Sequence, residues 1–157
     1  MSKHSAVPCK LVIIPQQKEH LESTLHAFAD ACNYIWSYGK QHGISQQKKL
    51  HEACYQHVRE KFNLPANLTI RSIARVAILL KDKHNTLPPF QPNQVNFDTR
   101  TFQLKDKEWA VGLTLLNGRE KFHLDIGSYQ KKALTGKSIT SAALIKKYKS
   151  YYLDIQI

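Results

Sequence analysis

One short apolar stretch near the start of the chain, "PCKLVIIP" at residues 8–15, constrains the fold more than any other. It is bounded by prolines and almost continuously apolar, so it reads as a strand buried on both faces. A lone strand is not stable in water, and no second strand pattern appears until after residue 94. What lies between has helical period. Leu21, Leu25, Phe28, Cys32 and Ile35 recur at steps of three and four, with Trp36 beside them. They mark one face of a helix over residues 18–39, ended by Gly39 and Gly43. Leu50, Cys54, Val58 and Phe62 mark a second helix over residues 45–62, capped by Ser45. A third begins near Leu68, after Pro65, with Asn67 or Thr69 as cap. Its apolar face is Ile70, Ile73, Ala74, Ala77 and Ile78, which leaves Arg71 and Arg75 together on the polar side.

Strand signals resume after Pro88, Pro89 and Pro92, which forbid helix. "VNF" and "TRTFQL" alternate around "DT" as a tight hairpin would. "EWAVGLTLL" and "REKFHLDI" flank Asn117–Gly118, and "SITSAALIKKY" and "SYYLDIQI" form a last pair. The strand at residues 8–15 can pair only with these later strands. The helices are therefore an insertion, and the proline stretch marks re-entry into the β region.

A hydrophobic fraction of 42% over 157 residues excludes wholesale disorder. The longest apolar runs, "LVII" and "AILL", are far too short to cross a bilayer, and the N-terminus has no apolar signal region. These features predict a cytoplasmic protein with no membrane partner. Cys9, Cys32 and Cys54 fall on apolar faces and lack paired spacing, as reduced buried thiols do. Lys and Arg number 23 against 12 Asp and Glu, a net charge of +11 that favours polyanions, chiefly nucleic acid.

The order of these elements and several short motifs resemble the N-terminal half of the TnpB/OrfB family, transposon-encoded RNA-guided nucleases related to type V CRISPR effectors. "IPQQKEHL" resembles the family's opening turn at Pro15, Gln17 and Leu21. "ADACNYIW" resembles its first helix at Ala31, Cys32 and Asn33. "FQPNQVNFDTRTFQL" resembles the re-entry segment at Phe90, Asp98 and Arg100. "LLNGREKFHLDIGSYQKKALTGK" resembles the Gly-Arg hairpin and the stretch after it, at Gly118, Arg119, Tyr129, Leu134 and Gly136. "AALIKKYKSYYLDIQI" resembles the closing strand pair. The family commonly has a basic residue after the re-entry phenylalanine, where this chain has Gln91. The resemblance implies an α+β fold: a small OB-like β-barrel (the wedge) of residues 1–16 and 88–157. A three-helix recognition bundle of residues 17–87 is inserted after its first strand. It further implies binding to guide RNA and target DNA without the family's RNase H-type nuclease, and so a binding protein and not an enzyme. A separate nuclease polypeptide is a conceivable partner.

No catalytic set stands out. Asp98, Asp106, Asp125 and Asp154 read as turn and strand-surface acids. His51 and His57 are six residues apart and point about 120° from each other around a helix, so with Cys54 they do not converge on a metal. No cofactor is expected. The candidate nucleic-acid contacts are basic: Arg71 and Arg75, Arg100 and Arg119 at hairpins, and Lys131, Lys132, Lys137, Lys146 and Lys147. Tyr129 is the leading aromatic, and Tyr148, Tyr151 and Trp109 are further rings that could stack on unpaired bases. Two other readings stay open: a stand-alone single-stranded RNA or DNA binder, and a docking module or non-functional remnant of an interrupted transposase gene.

Overall fold

The structure, a computed structural model, describes residues 5–82, 84 and 89–157. The expected re-entry at residue 88 therefore lies outside the described residues. The elements run β1 (Ala6–Val12), α1 (Pro15–His42), α2 (Gln47–Phe62), α3 (Ala66–Leu80), β2 (Gln94–Asp98), β3 (Phe102–Lys105), β4 (Ala110–Leu115), β5 (Gly118–Asp125), α4 (Ser128–Leu134), β6 (Ser141–Lys147) and β7 (Ser150–Gln156). The fold is α+β. All strand pairs are antiparallel, in one seven-stranded open sheet of order β2-β6-β7-β1-β5-β4-β3.

β1 lies inside this sheet, paired with β7 over residues 6–10 and with β5 over residues 10–12. The long-range pairing argued from its isolation is thus present. Its burial differs from the expectation. Val7, Cys9 and Leu11 point inward, while Pro8, Lys10 and Val12 are exposed, so the strand buries one face only. The apolar run misleads because Val12 and Ile14 are surface residues. Pro8 is tolerated in a central strand because β5 has not yet joined at that point. Its carbonyl instead accepts from Gln130 Nε2 of α4 at 3.5 Å, so the missing N–H removes no ladder bond.

α1 starts on Pro15, whose fixed φ suits the first helical position. Gln17 closes that start: its Oε1 accepts from Ile14 N at 3.3 Å and its Nε2 donates to Lys121 O at 2.9 Å. The helix does not stop at Gly39 but runs to His42, with Gly43 left-handed behind it. Gly39 serves packing. A Cβ there would lie 2.5 Å from Leu80 Cδ1 and 2.7 Å from Ile44 O, so only glycine lets α3 and the α1–α2 loop approach this closely. The caps expected from Ser45, Asn67 and Thr69 are not formed. Gln46 and Pro65 hold those positions, and Thr69 sits inside α3 with its hydroxyl donating to Pro65 O.

The "DT" hairpin is absent. β2 pairs with β6 and β3 with β4, at opposite edges of the sheet. Residues 99–101 turn a corner between them, with Asp98 Oδ1 accepting from Arg100 N at 3.0 Å and Asp98 O from Thr101 N at 3.1 Å. Local alternation is the same for a hairpin and a corner, so only the partners of β2 and β3 tell them apart. The β4–β5 and β6–β7 hairpins form as read. α4 escaped the sequence reading because it has seven residues and one buried side chain, Leu134.

One core joins the helical and β layers, from Leu25, Phe28 and Ile73 to Phe97, Phe122 and Leu153. The cysteines lie in it, and burial pushes their thiols up to about 11 for Cys9 and Cys54 and about 12 for Cys32. Such thiols stay protonated and unreactive at neutral pH. Among the described residues no helix is long and apolar enough to cross a membrane.

Candidate nucleic-acid interface

The helical and β layers are stitched together at the re-entry segment. Asn33 of α1 reads the backbone of Phe90 at both ends: its Oδ1 accepts from Phe90 N at 2.6 Å and its Nδ2 donates to Phe90 O at 3.1 Å. The Phe90 ring meets Trp36 edge-on at 6.2 Å and carries the Arg75 guanidinium at 5.0 Å from its centre. Asn33 and Phe90, far apart in sequence, thus form one lock.

Arg71 and Arg75 do not occupy a free polar face. The buried stripe of α3 is Leu68, Ile73, Val76, Ala77 and Leu80, rotated from the expected one, and Ile78 is 68% exposed. Val76 and Leu80, which are not on the expected stripe, are buried and turn the helix. The arginines therefore face β2, across a groove of about 330 Å³ with Ala74, Ile78, Leu79 and Asn96. Arg71 Nε lies 3.6 Å from Asp98 Oδ2. That is an ion pair but too long for a hydrogen bond, and Arg71 Nε and Asn96 Oδ1 are both buried without a hydrogen-bond partner among the described residues.

From Asp98 the chain of contacts continues. Asp98 holds the backbone of Arg100, and Arg119 on β5 donates from Nη2 to Arg100 O at 3.3 Å and from Nη1 to Gly112 O at 3.2 Å. Asp98 thus holds Arg71 by its side chain and Arg100 by its backbone, with Arg75 beside Arg71 in the groove and Arg119 on the Arg100 carbonyl, so the four residues follow one another across the α3–β2 junction and the corner after it. Arg100 and Arg119 remain exposed.

The lysines lie elsewhere and are held less. Tyr129, Lys131 and Lys132 are exposed on α4, and Lys137 is exposed just after it. Lys147 is exposed at the end of β6. Lys146 is engaged: its Nζ donates to Glu22 Oε1 at 2.9 Å, and Tyr151 OH donates to Glu22 Oε2. Burial pushes the Glu22 carboxyl up, but the bonds from Tyr151 and Lys146 and the Lys146 charge outweigh it and hold the group below its ordinary value. Burial, reinforced by Glu22, pushes the Tyr151 phenol up. Tyr151 is buried and Trp109 half-buried against the core, so neither ring is free to stack on a base. Tyr148 is 98% exposed at the β6–β7 tip.

The His51, Cys54 and His57 side chains go to different neighbours. His51 stacks on Tyr55 at 4.5 Å, His57 on Tyr34 at 4.4 Å, and Cys54 is in the core. Among the described residues no cluster of three His, Cys, Asp or Glu could hold a metal ion. No protein-family model and no curated protein matches the chain. Fold and surface define a basic α+β protein with a row of arginines at the α3–β2 junction and a separate set of exposed lysines.

Proposed function

We propose that this chain binds nucleic acid as the recognition half of a TnpB/OrfB-type RNA-guided protein, taking guide RNA and the guide–target heteroduplex. The observation that carries the reading is the arginine row from Arg75 and Arg71 through Arg100 to Arg119. Four arginines on neighbouring elements, three of them with their guanidinium groups anchored, suit contacts with successive phosphates, and a protein that reads shape and backbone leaves sequence to base pairing. Asn33, Phe90, Asp98, Arg100 and Arg119, five of the residues on which the resemblance rests, all fall in this region. The barrel reading is supported by the corner at residues 99–101, where strands at opposite edges of the sheet are joined by three residues, as in a curled sheet of the wedge or OB-like kind. On this reading the chain acts in the cytoplasm, where buried thiols stay reduced, and cutting belongs to a nuclease region that is not among these residues.

The test is a titration of structured RNA against salt. Six or more phosphate contacts predict an affinity loss of about 10³-fold or more between 50 and 200 mM salt. Arg100→Ala with Arg119→Ala should lower the salt slope by about 2. A flat salt response, or no binding at low salt, would overturn the reading.

A further inference from the structure

The β6–β7 hairpin ends in Tyr148–Lys149, between paired Lys147 and Ser150. Tyr148 has φ of 57°, a left-handed conformation that glycine or asparagine takes far more readily. Its ring is 98% exposed, and among the described residues it meets no side-chain partner. Core packing does not account for a tyrosine here, and strain of this kind collects where a side chain is presented for use.

The sequence neighbours of the ring are cationic. Lys146, Lys147 and Lys149 flank it in sequence. Beside the tip runs a groove of about 500 Å³, lined by Lys149, Lys10 and Lys18 with Ile13, Ile14 and Pro15 between them. The groove also meets the start of α1, a helix of 28 residues with no acid in its first turn, so the positive end of the helix dipole adds to the three lysines. Glu22 lines the neighbouring groove together with Glu19, and its charge is already answered by Lys146. A free ring, apolar walls and lysines at the rim match a chain of bases and phosphates, and no carboxylate lines the groove to oppose it.

We propose that the β6–β7 tip and this groove bind an unpaired stretch of nucleic acid. Tyr148 stacks on a base, the phosphates run past Lys149, Lys10 and Lys18, and Ile13 and Ile14 support a neighbouring base or sugar. This rests on the nucleic-acid reading above but names a different surface and a different strand state, since the arginine row suits the backbone of a helix.

The experiment measures anisotropy of labelled ten-residue oligo(U), oligo(dT) and a blunt RNA duplex with the wild-type chain, Tyr148→Gly and Tyr148→Phe. Stacking on one base predicts a loss of about 5- to 100-fold in oligomer affinity for Tyr148→Gly and less than about 3-fold for Tyr148→Phe. Duplex affinity should be unchanged in both. Thermal unfolding of Tyr148→Gly should be equal to or higher than wild type, because glycine relieves the strain, and this separates loss of contact from loss of fold. Comparison of oligo(U) with oligo(dT) shows whether the strand is RNA or DNA. Equal oligomer binding by wild type and Tyr148→Gly overturns the proposal and leaves the arginine reading standing, as does duplex binding without oligomer binding. Binding of neither overturns both. Binding to vesicles of anionic lipid in place of oligomers would assign the tip to a membrane surface and overturn it as well.

Discussion

The arginine junction and the lysine-bearing outer elements carry the same charge but are built in opposite ways. At the junction three of the four guanidinium groups are already in use, Arg75 on Phe90, Arg71 on Asp98 and Arg119 on Arg100 O and Gly112 O, while Arg100 is held by its backbone. On α4 and the β6–β7 tip the side chains of Lys131, Lys132, Lys147 and Tyr148 project into solvent. Arginine suits the first role because its planar fork can hold a protein group with one edge and offer another to a phosphate. Lysine suits the second because a flexible ammonium finds a phosphate without fixed geometry. The contrast predicts that charge in the first region is coupled to stability and that charge in the second is not.

The largest break in this contrast comes from β1, on which both regions depend. Deleting residues 1–12 removes a strand held between β5 and β7 and should abolish cooperative unfolding by circular dichroism. A shortened chain with an unchanged thermal transition would refute the topology. Next is the junction lock. Asn33→Ala leaves the Phe90 N–H and carbonyl without their partners and should cost about 2 kcal/mol in urea unfolding, with the m-value unchanged.

The comparison is sharpest in paired charge variants. Arg71→Ala with Arg75→Ala should lower stability by about 1 kcal/mol, from a cation–π contact and a part-exposed ion pair, and should also weaken RNA binding. Lys131→Ala with Lys132→Ala should change stability by less than about 0.5 kcal/mol while reducing the salt slope of binding by about 1 to 2. Equal stability losses in the two pairs would erase the distinction.

The smallest effect is a pH dependence at Glu22. Its carboxyl lies below the ordinary value of 4.5 in the folded state. Its contribution is therefore present above pH 4.5 and is lost as pH falls through the lower folded value. Glu22→Gln should flatten this part of the acid limb of the stability curve. An unchanged acid limb would mean that other carboxylates control it.

The helices and most strands were legible because their signals are local. Leu21, Leu25, Phe28, Cys32 and Ile35 mark α1 by period alone, and Asn117–Gly118 marks the β4–β5 turn. The place of β1 was also legible, by elimination, since a strand without neighbours must find them elsewhere. The basic candidates could be named from charge, but their roles could not. Whether Arg71 is free or pinned depends on a rotation of α3 that Val76 and Leu80 decide against α1 and α2, and on Asp98 arriving from a strand beyond residue 93. The corner at residues 99–101 looks like a hairpin because alternation records which face a residue occupies and not which strand lies beside it. Tyr148 reads like its aromatic neighbour Tyr151, three residues on. Only packing sends Tyr151 inward to Glu22 and leaves Tyr148 outside on a left-handed turn. Periodicity fixes local shape because it arises within one element. Partners, burial of a single ring and the coupling of charge to stability arise between elements, and they exist only once the sheet and helices have packed around their shared core.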